Sequence, residues 1–146
     1  MSDPSAPPSA ALRALVEAYA AGVDARRYEA VAALFSADGV LATNLPGGPA
    51  RETVGRDAIA RALHGLDRYE ATLHVVGNHV GSVDGDRGTG ETGCVAHHLE
   101  RAADAGGIDR VLAIRYFDSY ERRAGEWAIS RREVHVLWVE RRPVER

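Results

Sequence analysis

The chain has 146 residues, 45% of them hydrophobic and 27% charged, the length and balance of one globular domain with a single core. Its formal charge of −3 comes from acidic and basic residues mixed along the chain. There is no basic block of the kind nucleic-acid binding leaves and no apolar run near the roughly 20 residues that cross a bilayer, so neither nucleic acid nor a membrane is an expected partner. The lone cysteine, Cys94, excludes an internal disulfide, and all 18 basic residues are arginine, which excludes a lysine Schiff base.

Met1 to Ala10, rich in Ser, Pro and Ala, lacks the basic and apolar stretches of a secretory signal and reads as a disordered tail; the expected location is cytoplasmic. From Ala11 to Val23, the residues Leu12, Leu15, Val16, Tyr19 and Val23 recur at helical spacing and predict a first helix. Tyr28, Val31, Ala32 and Phe35 repeat that period in a short second helix, which ends at the turn-like Ser36-Ala37-Asp38-Gly39. Val40 to Leu45 reads as a strand, Pro46 to Pro49 as a loop, and Gly55 to Leu63 as a third helix with Ile59 and Leu63 inward.

The second half changes character. Thr72 to Val83, Gly88 to Arg101, Arg110 to Arg122 and Glu126 to Val139 are rich in β-branched and aromatic residues and predict four long strands. Asp84-Gly85-Asp86, Ala105-Gly106-Gly107 and Arg123-Ala124-Gly125 separate them as hairpin turns, so consecutive strands are expected to pair antiparallel. Glycines at 77, 81, 88, 90 and 93 suit bulges that let such strands curl. The resulting expectation is an α+β fold: one domain over residues 11–140, three N-terminal helices covered by a curved antiparallel sheet that encloses a pocket, and a C-terminal tail over 141–146.

The run Tyr19-Ala20-Ala21-Gly22-Val23-Asp24-Ala25-Arg26-Arg27-Tyr28, closed by Leu34 to Gly39, resembles the start of the SnoaL-like group of the nuclear-transport-factor-2-like superfamily. Thr72 to Asn78, Arg115 to Tyr120 and Gly125 to Arg132 agree with it, so the likeness spans about residues 11 to 139. The resemblance implies a cone-shaped domain. Its functions range over scytalone dehydratase, hexachlorocyclohexane dehydrochlorinase, polyketide cyclases and the non-catalytic small subunits of ring-hydroxylating dioxygenases. In the lyase members an Asp ending the first helix and a His on the strand after the third helix form a dyad; Asp24 and His74 hold those places here. The dehydrochlorinase's Trp-x-x-Ser-x-Arg pattern matches Trp127 to Arg132 and makes Arg132 the counterpart of its arginine. Where scytalone dehydratase has a tyrosine beside the catalytic Asp, this chain has Val23, which argues against a dehydratase of that particular type.

The chemistry of these residue types agrees. An imidazole titrates near pH 6.5, and a carboxylate bonded to one ring nitrogen fixes the tautomer and stabilises the imidazolium that forms when the other accepts a proton. His74 would be the base, Asp24 its orienter, and Arg132 an electrostatic helper where negative charge develops. Each residue also has a structural reading: Asp24 as a helix cap, His74 as a half-buried strand residue beside Thr72 and Val76, Arg132 as one member of an outward ion pair. Tyr19, Val76 and Trp138 are candidates for the pocket wall, joined by one of His97 and His98, since alternation lets only one face inward; by the resemblance His98 is named. His79 and His135 read as surface or interface groups. No metal-ligand spacing or phosphate loop is present, so no cofactor is expected. The function expected is a cofactor-independent lyase, isomerase or cyclase acting on a small apolar carbonyl or aromatic compound. The alternative is a non-catalytic binding or scaffold subunit of the dioxygenase small-subunit type. A homodimer or homotrimer is expected from the resemblance in either case.

Overall fold

The computed structural model describes residues 7–102 and 106–145. It is an α+β cone: helix α1 (Pro8–Asp24), a short α2 (Tyr28–Ala32), strand β1 (Phe35–Asn44), strand β2 (Arg51–Val54), helix α3 (Arg56–Leu63) with a 3₁₀ turn (His64–Arg68), then the strands β3 (Ala71–Asp84), β4 (Arg87–Arg101), β5 (Gly107–Arg123) and β6 (Glu126–Val144). The single sheet has the order β2-β1-β6-β5-β4-β3. The meander β3 to β6 is antiparallel throughout, while β1 returns beside β6 in parallel. Among the described residues no helix is long and apolar enough to cross a membrane.

Leu12, Val16, Tyr19, Ala20 and Val23 form one buried face of α1, and this face lies against β3. Gly22 lets α2 approach, since a Cβ there would stand 2.5 Å from Val31 Cγ2. After α1 the chain turns through Arg26, a non-glycine residue at φ 60°. A left-handed residue costs roughly 1–2 kcal/mol. The Arg26 guanidinium offsets this by donating to Leu66 O at 2.6 Å, Tyr69 O at 2.8 Å, the Tyr28 hydroxyl and Asp67. That clamp fixes the end of α1 to the turn that leads into β3.

Several boundaries differ from the sequence expectations, for local reasons. Helix α1 begins at Pro8 rather than Ala11, because proline's fixed φ suits the first helical positions; of the expected tail, residues 1–6 lie outside the described residues. Phe35 opens β1 instead of ending α2, and Arg51–Val54 forms an edge strand against β1 that so polar a segment does not announce. Strand β6 runs on to Val144, because Arg141, Arg142, Pro143 and Val144 stand opposite Arg110, Asp109, Ile108 and Gly107 of β5. Of the two expected turn or tail segments, Ala105 and Arg146 lie outside the described residues.

Bulges decide which side chains face the cone's interior. The ladder between β3 and β4 slips between Val76 and His79, at Gly77 as the glycine suggested. His79 thereby turns inward rather than standing on the surface; its Nδ1 meets Thr92 Oγ1 at 2.7 Å, and its ring occupies the space that Gly81 and Gly90 leave open. Two further slips, where Ser130 and Leu137 of β6 have no partner on β5, carry no glycine. The core has two parts: one under the helices around Phe35, Ile59, Tyr120 and Ile129, and one under the sheet around Cys94, Leu112, Ile114, Tyr116 and Val136.

Candidate active site

Asp24 is the last residue of α1, and its carboxylate reaches across to the start of β3. Oδ1 accepts from His74 Nδ1 at 2.7 Å and from the Thr72 hydroxyl at 3.0 Å; Oδ2 accepts from the His74 backbone N–H at 2.7 Å. Burial alone would raise the pKa of this carboxyl, but those hydrogen bonds and the His74 ring hold it below the ordinary value. Asp24 is therefore an anion at neutral pH. An ionised carboxylate only accepts, so His74 Nδ1 must carry the ring proton. Nε2 of neutral His74 is then a bare lone pair, and it has no hydrogen-bond partner among the described residues. The His74 side chain is only 6% exposed and forms part of the wall of a half-open cavity.

That cavity has a volume of about 940 Å³ and an apolar body formed by Leu41, Leu63, Leu112, Ile114 and Val136. Tyr19, Val23 and Tyr116 close its inner end, while Arg51, Arg68 and Arg110 stand on its walls. His98, 8% exposed, lies 4.6 Å from the Tyr69 ring and 5.7 Å from the His74 ring, centroid to centroid. Both of its ring nitrogens are buried without a partner. Burial first, and then the nearby His74, Arg110 and Arg68, push its pKa down to about 4, so the ring is neutral at pH 7. A second, shallower groove of about 420 Å³ lies on the outer face of the sheet between Val80, Phe117 and Arg131, away from this constellation.

Tyr19 and His98 stand on the cavity wall, and strand alternation sends His97 to the outer face, where its Nδ1 meets Asp109 at 2.7 Å. Two expected wall residues do not. Val76 points inward but packs with Val16 and Cys94 beneath α1. Trp138 is 62% exposed: the bulge at Leu137 reverses the alternation set by Val134 and Val136 and turns the indole outward. His135 is half-buried on the outer face, against Glu133 and the Phe117 ring.

Arg132 needs the largest correction. It points inward and Arg131 outward, yet Arg132 does not line the cavity. It is 0% exposed, forks onto Asp118 at 2.9 and 2.7 Å, and sits between the Tyr19 and Tyr116 rings, 4.3 and 4.2 Å from their centroids. Burial would lower its pKa, but the Asp118 carboxylate more than reverses that, so the guanidinium is a permanent cation. It supports the two tyrosines that form the cavity's end and does not reach a ligand directly. Thr72, Tyr69, Arg68 and Arg110 were not picked out from the sequence as site residues. Arg110 was legible in principle, since it shares an inward row on β5 with Leu112, Ile114 and Tyr116; Arg68 and Tyr69 lie in a turn with no periodicity to read.

Among the described residues no group of three or more His, Cys, Asp and Glu side chains is arranged to hold a metal ion. What the arrangement offers is a base nitrogen with a fixed tautomer, facing a largely apolar cavity ringed by hydrogen-bond donors.

The SnoaL-like domain family matches residues 6–133. Among solved structures, a protein of Novosphingobium aromaticivorans provisionally assigned as a scytalone dehydratase is 24% identical, with a TM-score of 0.77 over 90% of this chain and 85% of that one. A hexachlorocyclohexane dehydrochlorinase of type 3 from Novosphingobium barchaimii is 20% identical, with a TM-score of 0.77 over 92% and 89%. An NTF2-like protein with a cystatin-like fold from Novosphingobium aromaticivorans is 25% identical, with a TM-score of 0.69 over 88% and 81%. No curated protein matches the chain.

Proposed function

The chain belongs to the SnoaL-like domain family, and from that premise we propose that it is a cofactor-independent lyase, isomerase or cyclase that removes a proton from a small organic molecule held in the cone. One observation carries this reading: Asp24 fixes His74 at 2.7 Å through Nδ1, which leaves Nε2 as an unpaired acceptor on the wall of the cavity. In the proposed step the substrate's C–H proton passes to Nε2, the imidazolium is stabilised by the Asp24 anion, and the electron pair left on carbon goes into a conjugated carbonyl or expels a leaving group. The apolar walls keep water from competing for the proton. Arg132 contributes by holding Tyr19 and Tyr116 in place, so its part is positioning.

The test is hydrogen exchange in D₂O, followed by proton NMR over a panel of ring and chain carbonyl compounds. A substrate should lose its acidic C–H signal with the unaltered protein, and His74→Ala should slow that loss by about 10²–10⁴-fold while the protein stays folded. Exchange at an equal rate in the variant would remove His74 from the mechanism. The non-catalytic scaffold reading gives no role to the unpaired Nε2, and the same experiment separates the two.

We also infer a homo-oligomer. Val75, Val95, Ala113 and Trp138 are direct cross-strand partners and form one apolar row across the outer face, with Val75, Val95 and Trp138 exposed by 51%, 42% and 62%. Light scattering should give a dimer or trimer that Trp138→Glu dissociates; a monomer at all concentrations would refute it.

A further inference from the structure

The cavity's polar groups have a pronounced asymmetry. Three arginines, Arg51, Arg68 and Arg110, stand on its walls, and no Asp or Glu does. Among the described residues none of the three makes an ion pair, although most of the chain's outward arginines near the sheet do, such as Arg115 with Glu91 and Arg131 with Glu52. Two of them converge on a single atom: Arg68 Nη2 and Arg110 Nη1 donate to the Tyr69 phenol oxygen at 3.1 and 3.0 Å. That oxygen accepts twice, and its own O–H has no acceptor among the described residues. Beside it, His98 keeps two buried ring nitrogens without partners.

The local account is thus long in donors and short in acceptors. Two guanidinium groups, a phenol O–H and an imidazole N–H gather in one part of a cavity whose remaining walls are mostly apolar, with Thr43, Arg51, Thr53 and His74 among the other polar groups. The His98 ring nitrogens are buried without partners, which is costly, and the exposed Arg68 and half-buried Arg110 are two cations held on one phenol oxygen, which repel unless an anion completes the set. The planar forks of arginine match a carboxylate in both shape and charge. The apolar walls call for a ring or branched hydrocarbon body attached to it.

We propose that the cavity binds a carboxylate-bearing, otherwise apolar compound, with its carboxylate between Arg68, Arg110 and the Tyr69 hydroxyl and its body against Leu112, Ile114 and Val136. This deepens the proton-abstraction reading and rests on it only for the consequence that the carboxylate anchors the substrate beside His74; binding itself does not depend on the chemistry. The apolar ligand expected from the sequence becomes an amphipathic acid, and Arg51, also on the cavity wall, adds to the same positive field.

The test uses matched probes on the unaltered protein: 2-naphthoate, cyclohexanecarboxylate and 4-phenylbutyrate against their primary amides, with 2-naphthyl phosphate as a further anion. Affinities are read from thermal-shift titrations and confirmed by calorimetry. At least one acid should bind tenfold or more tightly than its amide, the preference should shrink with added salt, and Arg110→Gln or Arg68→Gln should reduce it to near one. If no acid outbinds its amide, or the arginine variants leave the ratio intact, the proposal is wrong. Tighter binding of the phosphate than of every carboxylate would also overturn it, by assigning the corner to phosphate esters. His74→Gln separates this from the catalytic reading: it should keep the acid preference whether or not His74 proves to be the base. Since the comparison of acid and amide needs no variant, it stands even if an arginine substitution fails to fold.

Discussion

Two carboxylate pairs sit inside the same cone, each with a 2.7 Å contact, and they are built to opposite ends. Asp118 and Arg132 are both 0% exposed at the side chain, joined by a two-point fork and enclosed by Tyr19 and Tyr116, and Arg132 Nη1, which has no partner among the described residues, is buried away from the cavity. Asp24 and His74 are tied just as closely, but one ring nitrogen is left over and it faces the cavity. A sealed pair can only hold structure together. A pair with one unspent lone pair next to a ligand-sized space can do chemistry. The pattern Trp-x-x-Ser-x-Arg makes the sealed pair look like part of the site, and only packing separates the two.

The sharpest way to break this contrast is to substitute into each pair. Arg132→Met strands a fully buried carboxylate, so chemical denaturation should show a loss of about 3–5 kcal/mol, and the protein should be poorly folded at 37 °C. His74→Gln should cost about 1 kcal/mol or less while abolishing turnover, because the Asp24 carboxylate keeps its Thr72 and backbone donors. If the stability losses were equal, the distinction between a sealed and an open pair would fail.

A smaller effect concerns pH. The folded pKa of His98 is about 4, below the value near 6.5 of an unfolded chain, so between those values the unfolded state binds a proton that the folded state does not. Stability should therefore fall as pH drops from about 6.5 to 4, by roughly 3 kcal/mol from this group, and His98→Gln should flatten that slope. The half-buried ring of His79 shifts in the same direction and should leave a residual slope in the variant. Asp24 works oppositely in origin: its lowered pKa gives stability that is present above the unfolded carboxyl value and is lost only as pH falls below it. Denaturation midpoints from pH 4 to pH 8 would check this, and a flat profile would contradict the burial of His98.

The smallest effect sharpens the open pair alone. Thr72→Val removes one of the three donors to Asp24 and should cost about 1 kcal/mol, with a several-fold drop in turnover and no change in binding affinity.

The sequence carried the fold well where patterns are long. The helical stripe of α1 and the four β-rich segments are periodic over many residues, and the resemblance to the SnoaL-like group singles out Asp24 and His74 near the places where those elements end and begin. It carried the cavity wall poorly because facing is set by bulges. Gly77 marks one, but nothing at Ser130 or Leu137 signals a slip, and each slip reverses every side chain beyond it, which is how Trp138 leaves the pocket. The role of Arg132 was illegible for another reason: its partner Asp118 is on a neighbouring strand, and no spacing along the chain reports a cross-strand fork. Arg68 and Tyr69 fall in the turn clamped by Arg26, whose geometry depends on hydrogen bonds across 40 residues and more.

The central claim is that His74 presents a bare Nε2 to the cavity. It is tested most directly by nitrogen NMR of protein labelled with ¹⁵N-histidine, under conditions where the ring is neutral. The account predicts a protonated Nδ1 whose signal changes in Asp24→Asn, and an unprotonated Nε2 that responds to added 2-naphthoate. A proton on Nε2 with Nδ1 bare would contradict it, because the nitrogen facing the cavity would then have nothing with which to accept a proton.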